Sequence, residues 1–356
     1  MRNQWLAVAS IAVAVATTSC TQTDEERLNA VVAAAATSTT TTPLFTPASP
    51  DADLAQSSPL ECTPAPVGTT SIGTAVSWAD GMERQLQLQL GRADSTRPSA
   101  DALSLTPVEL RVSGSEGNWT FLWEAATPSF DEVGISSTML ARLGPALDAL
   151  PHQRIEYRVD RDPYRIDVLN APELRDNALR TIEILSAVFP NEESRTAAEQ
   201  LYNGASDDGI AALFFNEPLL FHALEDGFFS VGDPVVFDDV MPNSLGGDPF
   251  PALTSIGVAE LIDDEGCVAV EITTVPDPEL LFPILFQTVE AAFGDVDAQS
   301  DADIAMMAES FSIETRVTGQ FDYGTGRFRR ITSVTEIASG RDTRIDTTII
   351  TDVSPP

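Results

Sequence analysis

Between Gln85 and Leu90 polar and leucine residues alternate in strict period two, the pattern of a strand with one face in water and the other in a core. The alternation predicts a strand from Ala75 to Gly91, a polar loop from Arg92 to Ala102, and a second strand at Val108–Val112. A turn at Gly114–Gly117 leads into a third strand, Asn118–Ala125. The same order returns further on: a strand at Ser255–Ile262, a turn at Asp263–Gly266, a strand at Cys267–Thr274. Loops this short make each pair antiparallel. After each hairpin the period lengthens to that of a helix. Ser136 or Ser137 caps a run carrying Leu140, Leu143, Leu147 and Leu150, kinked at Gly144-Pro145. Asp277 caps the second, Pro278 takes its first position, and apolar residues from Leu280 to Phe293 cover nearly its whole circumference.

Alternation then resumes with a shared wording. Arg154-Ile-Glu-Tyr-Arg-Val-Asp is echoed by Ser312-Ile-Glu-Thr-Arg-Val-Thr, and Glu116-Gly by Glu265-Gly, each about 150 residues apart. Two copies of one unit point to a duplicated β-rich domain. The second copy ends in a meander (Phe311–Gln320, Arg327–Ala338, Arg341–Val353) turned at Gly324-Thr-Gly326 and Ser339-Gly340. A helical insert separates the copies: one helix opening at Asn170-Ala-Pro172, one over Ser194–Tyr202, and an apolar one over Ile210–Leu224 interrupted at Pro218. A return to strand follows at Phe228. The fold class expected is α+β, a duplicated strand-hairpin-helix-strand-strand unit forming a curved, half-barrel-like antiparallel sheet with helices on its concave face. The boundaries expected are a signal peptide over 1–20, a tether over 21–61, the first repeat over 62–170, the helical insert over 171–230 and the second repeat over 231–356.

The N-terminus changes the picture from shape to place. Arg2 precedes an apolar run, Trp5–Ala16, and then Thr-Thr-Ser-Cys20. Twelve helical residues span about 18 Å, too short for a permanent transmembrane helix. The ending resembles the bacterial lipoprotein signal, in which the cysteine becomes the lipidated first residue; Thr17 stands where that family usually has Leu. The resemblance implies an exported protein, lipid-anchored at Cys20 to the outer face of the cell membrane, with an ordinary secretory signal as the alternative. The Ala-, Thr- and Pro-rich tract from Thr21 to Leu60 lacks the apolar residues for a core. As a flexible tether it would reach about 35 Å. Cys62 and Cys267 are the two thiols left, and in an exported chain such a pair is expected to be bonded, with two unpaired buried thiols as the alternative. Cys267 falls on the face opposite Val268 and Val270, where a tether strapped across the outside of the sheet would meet it.

A net charge of −34, with all 20 basic residues Arg, excludes a phosphate-rich nucleic acid as partner. It also removes meaning from any pair of carboxylates, because 54 acids make such pairs unavoidable. His152 and His222 stand alone, no nucleophile or phosphate-loop motif is present, and the acidic run Asp295–Asp303 lacks the glycine and closing glutamate of a calcium loop. No catalytic residue, metal site or cofactor is expected. Arg327, Arg329 and Arg330 form the one basic island, read as paired with strand-face acids or, alternatively, as a dock for an anionic partner.

What remains is apolar surface. Trp119, Phe121 and Trp123 on one strand and Phe282, Phe286 and Phe293 on the helix are candidate ligand contacts if the concave face holds a lipid or acyl chain; ordinary core is the other reading. With its Cys20, tether and long antiparallel sheet, the chain resembles the half-barrel lipid-carrier lipoproteins of mycobacteria and the periplasmic lipoprotein carriers, over roughly residues 70–353 and in architecture only. It is also similar to actinobacterial lipoproteins in which a Val-Gly-Asp entry, here Val231-Gly-Asp233, precedes a terminal meander. The resemblance implies a non-enzymatic envelope protein binding a hydrophobic small molecule. The alternative is a scaffold whose outer surface binds an envelope protein or polymer. For the anchor the expected outcome is simple: in detergent phase partitioning Cys20→Ser moves from detergent to water, and equal partitioning of the two forms removes the lipoprotein reading.

Overall fold

The computed structural model describes residues 62–354 apart from 75–77, 96–101, 116, 131–152, 162–163, 185–191, 226, 233, 242–249, 278–279, 282, 285–310 and 340–341. Its strands are β1 (Ser71–Gly73), β2 (Glu83–Asp94), β3 (Ala102–Ser115), β4 (Asn118–Ala125), β5 (Ser129–Phe130), β6 (Gln153–Arg161) and β7 (Tyr164–Val168). Then come β8 (Phe228–Ser230), β9 (Val235–Met241), β10 (Phe250–Glu260), β11 (Val268–Pro276), β12 (Phe311–Asp322), β13 (Arg327–Ser339) and β14 (Asp342–Asp352). The helices are α1 (Ala171–Ile184), α2 (Glu192–Gly204), α3 (Asp207–Phe214) and α4 (Asn216–His222).

One open, curved sheet in the order β7-β6-β4-β3-β2-β14-β13-β12-β11-β10-β9 dominates, every neighbour antiparallel, with β5 appended to β3 and a small β1-β8 pair apart from it. Period-two patterning explains the inner layer. Leu86, Leu88 and Leu90, then Val108, Leu110 and Val112, then Trp119, Phe121 and Trp123 are all buried, while their alternates face water. Leu174, Ala178 and Ile182 of α1, Ile210 and Phe214 of α3 and Phe221 of α4 pack onto that layer as one core. The turn after α4 approaches the sheet closely at Gly319, where an added Cβ would lie 2.4 Å from Leu224 and 2.5 Å from Phe328 of β13.

Several elements depart from the sequence expectation. The first long strand starts at Glu83 rather than Ala75, because Met82 bonds back to Ala79 in a turn and Gly81 takes φ 76°. It then runs past Gly91 to Asp94, since pairing with β14 outweighs the polar composition of Arg92–Asp94. The insert breaks at Phe215, not Pro218; the proline sits in the first turn of α4, where its missing N–H costs nothing. The echoed motif lies on corresponding strands but not in corresponding register. Trp119 faces Val159, whereas Val268, its counterpart after the hairpin, faces Phe321 rather than Val317. An offset of four keeps each side chain on its face, yet Ile155 is fully buried and Ile313 only partly, so the two isoleucines are not equivalent. The helix expected over 136–150 lies outside the described residues, as does most of that over 278–293; Leu280, Leu281, Pro283 and Ile284 of the latter are helical.

Cys62 and Cys267 are joined by a disulfide, Cα–Cα 5.0 Å. The tether expected across the outer face lies outside the described residues; the segment after Cys62 turns inward. Thr63 docks on the β12–β13 turn, giving its N–H to Asp322 Oδ1 at 2.9 Å and accepting from Tyr323 N–H at 3.2 Å. Ala65 and Ile72 then enter the core, because β1 must pair with β8 on the inner side. Asp322 holds this junction, accepting also from Gly324 N–H at 3.0 Å and from the Thr325 hydroxyl at 2.6 Å. Burial by itself would raise its pKa, but these hydrogen bonds outweigh that and hold the carboxyl below its ordinary 3.8. A depressed carboxylate stabilises the fold above the unfolded value and loses that contribution as pH falls through the folded one. Asp322→Asn is therefore expected to cost about 1–2 kcal/mol near neutrality and to flatten the loss of stability below about pH 4. Urea midpoints across pH 2–7 for both proteins measure it, and parallel curves would remove Asp322 from this role.

Candidate functional site

The inner face of the sheet divides into two chemically different halves. At the end where β3 turns into β4 the layer is aromatic. Phe121 stacks on Tyr157 with centroids 5.1 Å apart, Trp78 meets Phe121 edge-on at 5.0 Å, and Phe215 meets Tyr157 at 4.8 Å. His222, closing α4, stands among these rings. Its Nε2 is 2.8 Å from the Tyr157 hydroxyl and its Nδ1 2.7 Å from Glu225 Oε2. Trp78 Nε1 also donates to Glu225, at 3.4 Å. The simplest proton placement has Nδ1–H donating to the carboxylate and Nε2 accepting from the tyrosine, so each polar atom is paired. A Glu–His–Tyr chain of this shape can relay a proton, but both ends are packed by rings. It holds α4 onto the sheet.

Toward the other end the composition changes. Cross-strand register places Arg92, Asp346, Thr335, Thr315, Thr274 and Thr254 side by side on β2, β14, β13, β12, β11 and β10. Arg92 and Arg344 both hold Asp346, at 2.8 and 2.9 Å. The Thr315 and Thr335 hydroxyls bond each other. Thr254 donates to Asp239 of β9 at 2.8 Å, so at its 2.9 Å contact with Thr274 it accepts. This polar row crosses the concave face. Beyond it lies a second apolar cluster, Phe250 and Leu281 with Met241, Ile284, Ile313 and Ile337.

The candidate ligand residues separate accordingly. Trp119, Phe121 and Trp123 are 7%, 0% and 1% exposed. Around the latter two stand Trp78, Phe221 and His222, so these side chains touch other side chains of the chain itself. Phe282, Phe286 and Phe293 lie outside the described residues, as does Cys20. The polar row was not read from the sequence, where threonine in a strand signals only β propensity; the available sign was Thr315 in phase between inward Ile313 and Val317. The Tyr157–His222 contact joins residues 65 apart and had no sequence sign.

Among the described residues no three potential metal ligands cluster, and no helix is long and apolar enough to cross a membrane. No family model matches the chain, and no curated protein matches it significantly. Tyr157→Phe removes one hydrogen bond and leaves His222 Nε2 buried without it, an expected loss of about 1–3 kcal/mol. Urea unfolding reads this directly, and an unchanged midpoint would mean that the network does not support the fold.

Proposed function

We propose that the protein is a non-enzymatic envelope lipoprotein, anchored through Cys20 and held off the membrane by the 21–61 tether, that carries a hydrophobic ligand in its concave face. In this reading the sheet is a half-barrel built from two related units, residues 62–170 and 231–356, with the 171–230 insert plugging the aromatic half. The ligand, a lipid or acyl chain, lies along the β9 side of the concave face, at the level of the polar row and beyond it. One observation carries the proposal: Phe237 and Val235, on the inward phase of edge strand β9 opposite Thr254 and Ile256, are 44% and 58% exposed where the polar row meets the sheet edge. Large apolar side chains facing the hollow of an open sheet, yet left in water, are what a greasy ligand would cover. Topology supports it as well. The connections β5–β6 and β11–β12, the two longest apart from the helical insert, both leave from the end beyond the polar row, while the disulfide lies at the opposite end.

The scaffold reading has its own support on the outer phase of the same strands. There Val236, Val240, Leu253 and Val275 are exposed, an apolar patch suited to a protein partner. Uptake of a fluorescent fatty acid separates the two. Saturable uptake is expected for wild type and a loss of at least tenfold for Phe237→Asp, which is exposed enough to tolerate the charge. No saturable uptake, together with an organic extract of the natively purified protein free of lipid by mass spectrometry, would leave the scaffold reading in place.

A further inference from the structure

The basic island splits in the folded chain. Arg330 pairs with Glu265 at 3.3 Å and with Gln320, as a strand-face arginine should. Arg327 and Arg329 do not follow it. Neither has a hydrogen bond or ion pair with any described residue; the Arg329 Nε is buried without a partner, as is the Arg330 Nε, but Arg330 is held through Nη1. In a chain of net charge −34 that is unusual, because arginines elsewhere on the sheet, such as Arg111, Arg158 and Arg316, each reach carboxylates.

A third guanidinium lies two strands away. Arg84, at the start of β2, is 4% exposed and lies over the Trp78 ring with its carbon 5.0 Å from the centroid. It makes one contact, Nη1 to Asp352 Oδ2 at 3.3 Å, while its Nε and Nη2 are buried without partners. The strand order brings the three together: β2, β14 and β13 are adjacent, Asp352 ends β14 opposite Leu86, and Arg327 and Arg329 begin β13. Desolvation first, and then the charges of Arg327 and Arg329, lower the pKa of Arg84, while Asp352 and Glu225 raise it. Three guanidiniums thus face two carboxylates, one of which, Glu225, is already held by His222 and Trp78.

The Arg84 Nε and Nη2 and the Arg329 Nε, orphaned on neighbouring strands at one end of the sheet, are costly in the absence of an acceptor. We propose that this cluster is a phosphate-binding site, with Arg84 as its floor and the partly buried Arg327 and Arg329 as its rim. A carboxylate offers two oxygens in one plane, whereas a tetrahedral phosphate offers oxygens in several directions and so can accept from guanidiniums on different strands. The phosphate is either free or part of a lipid headgroup. The site lies at the closed end of the sheet, next to the strap that leads back to residue 62, and so is separate from the proposed ligand-bearing half.

The test uses the full-length chain carrying Cys20→Ser, so that no anchor contributes, and inorganic phosphate as the probe. Titration followed by thermal unfolding, against chloride at matched ionic strength, is expected to show a saturable rise in Tm. Affinity should fall about tenfold in Arg329→Gln and in Arg327→Gln, and stay unchanged in Arg330→Gln, whose guanidinium is already paired. The two rim variants carry the test because Arg84→Gln would also strip Asp352 of its buried partner. Flotation with phosphatidylglycerol vesicles assigns the source. Retention lost in Arg329→Gln places the phosphate on a lipid, and retention indifferent to the change places it free in solution. A wild type that responds to phosphate no more than to chloride, or rim variants that respond as wild type does, would overturn the site.

Discussion

The fold depends on the seam between β2 and β14. The chain lays down β2 to β7 as one antiparallel series and β9 to β13 as another, and only the C-terminal strand, paired on one side with β13 and on the other with β2, makes them one sheet. Each end of the seam carries a buried ion pair, Arg84 with Asp352 and Arg92 with Asp346. Leu86, Leu88 and Leu90 lie between, against Thr348 and Ile350. Burying charge is rarely a net gain in stability, but breaking a buried pair is expensive, about 3–5 kcal/mol. A slip of one residue would turn both arginines outward and strand both aspartates, so the pairs fix register where the chain has the least local help. The partners are 254 and 268 residues apart, so closing this seam carries a large loop-closure cost, although β2 also pairs locally with β3.

With the seam set, the two ends of the sheet diverge. At one end the α1, α3 and α4 packing consumes the inner face and aromatic rings fill it to density, while the disulfide and the Asp322 junction tie down the segment from residue 62. Further along, the inner face carries threonines bonded pairwise across strands, and the β5–β6 and β11–β12 connections depart from the end beyond them. The outer face solves a different problem. Arginines stand among acids, as where Arg111 lies within reach of Glu83, Glu109 and Glu124, and Arg316 of Glu271 and Glu314. Each such exposed pair is worth little, but together they relieve the self-repulsion of a surface dense in carboxylates.

Legibility in the sequence followed the range of the interaction. Asn118–Ala125 and the terminal meander could be read because period two and the glycine turns are local, and Gly117 and Gly266 do take positive φ, at 86° and 79°. The pairing of Cys62 with Cys267 followed from counting thiols in a chain read as exported. The start and end of β2 could not be read, since Gly81 reverses the chain before it and β14 extends it beyond its own pattern. Nor could the polar row, whose members come from six strands and mean nothing singly. His222 is the clearest case. Glu225 stands one helical turn away in the sequence, but Tyr157 and the rings that make the site dry are brought in by the sheet. Of the basic island the sequence placed the residues but not their partners, and only the folded chain separates Arg330 from Arg327 and Arg329.

An open sheet leaves edges, and its two edges are treated differently. β7 is short, and Asn170 just beyond it bonds back to β6, giving to Arg154 O and accepting from Glu156 N–H. β9 is longer and reads Val-Val-Phe-Asp-Asp-Val-Met, exposed over all but its last residue. A flat apolar edge of that length would recruit another strand. Its two central aspartates work against this by putting one carboxylate on each face. Asp238 points outward, opposite Leu253, and Asp239 points inward, spent on Thr254 and on its neighbour's backbone. Covering the edge with a foreign strand would desolvate one charge on whichever face was packed, at several kcal/mol. The valines and Phe237 on either side remain free to touch a molecule that needs no backbone pairing. The edge is thereby biased against strand addition and toward side-chain contact, as a sheet must be if it is to stay open and still present apolar surface.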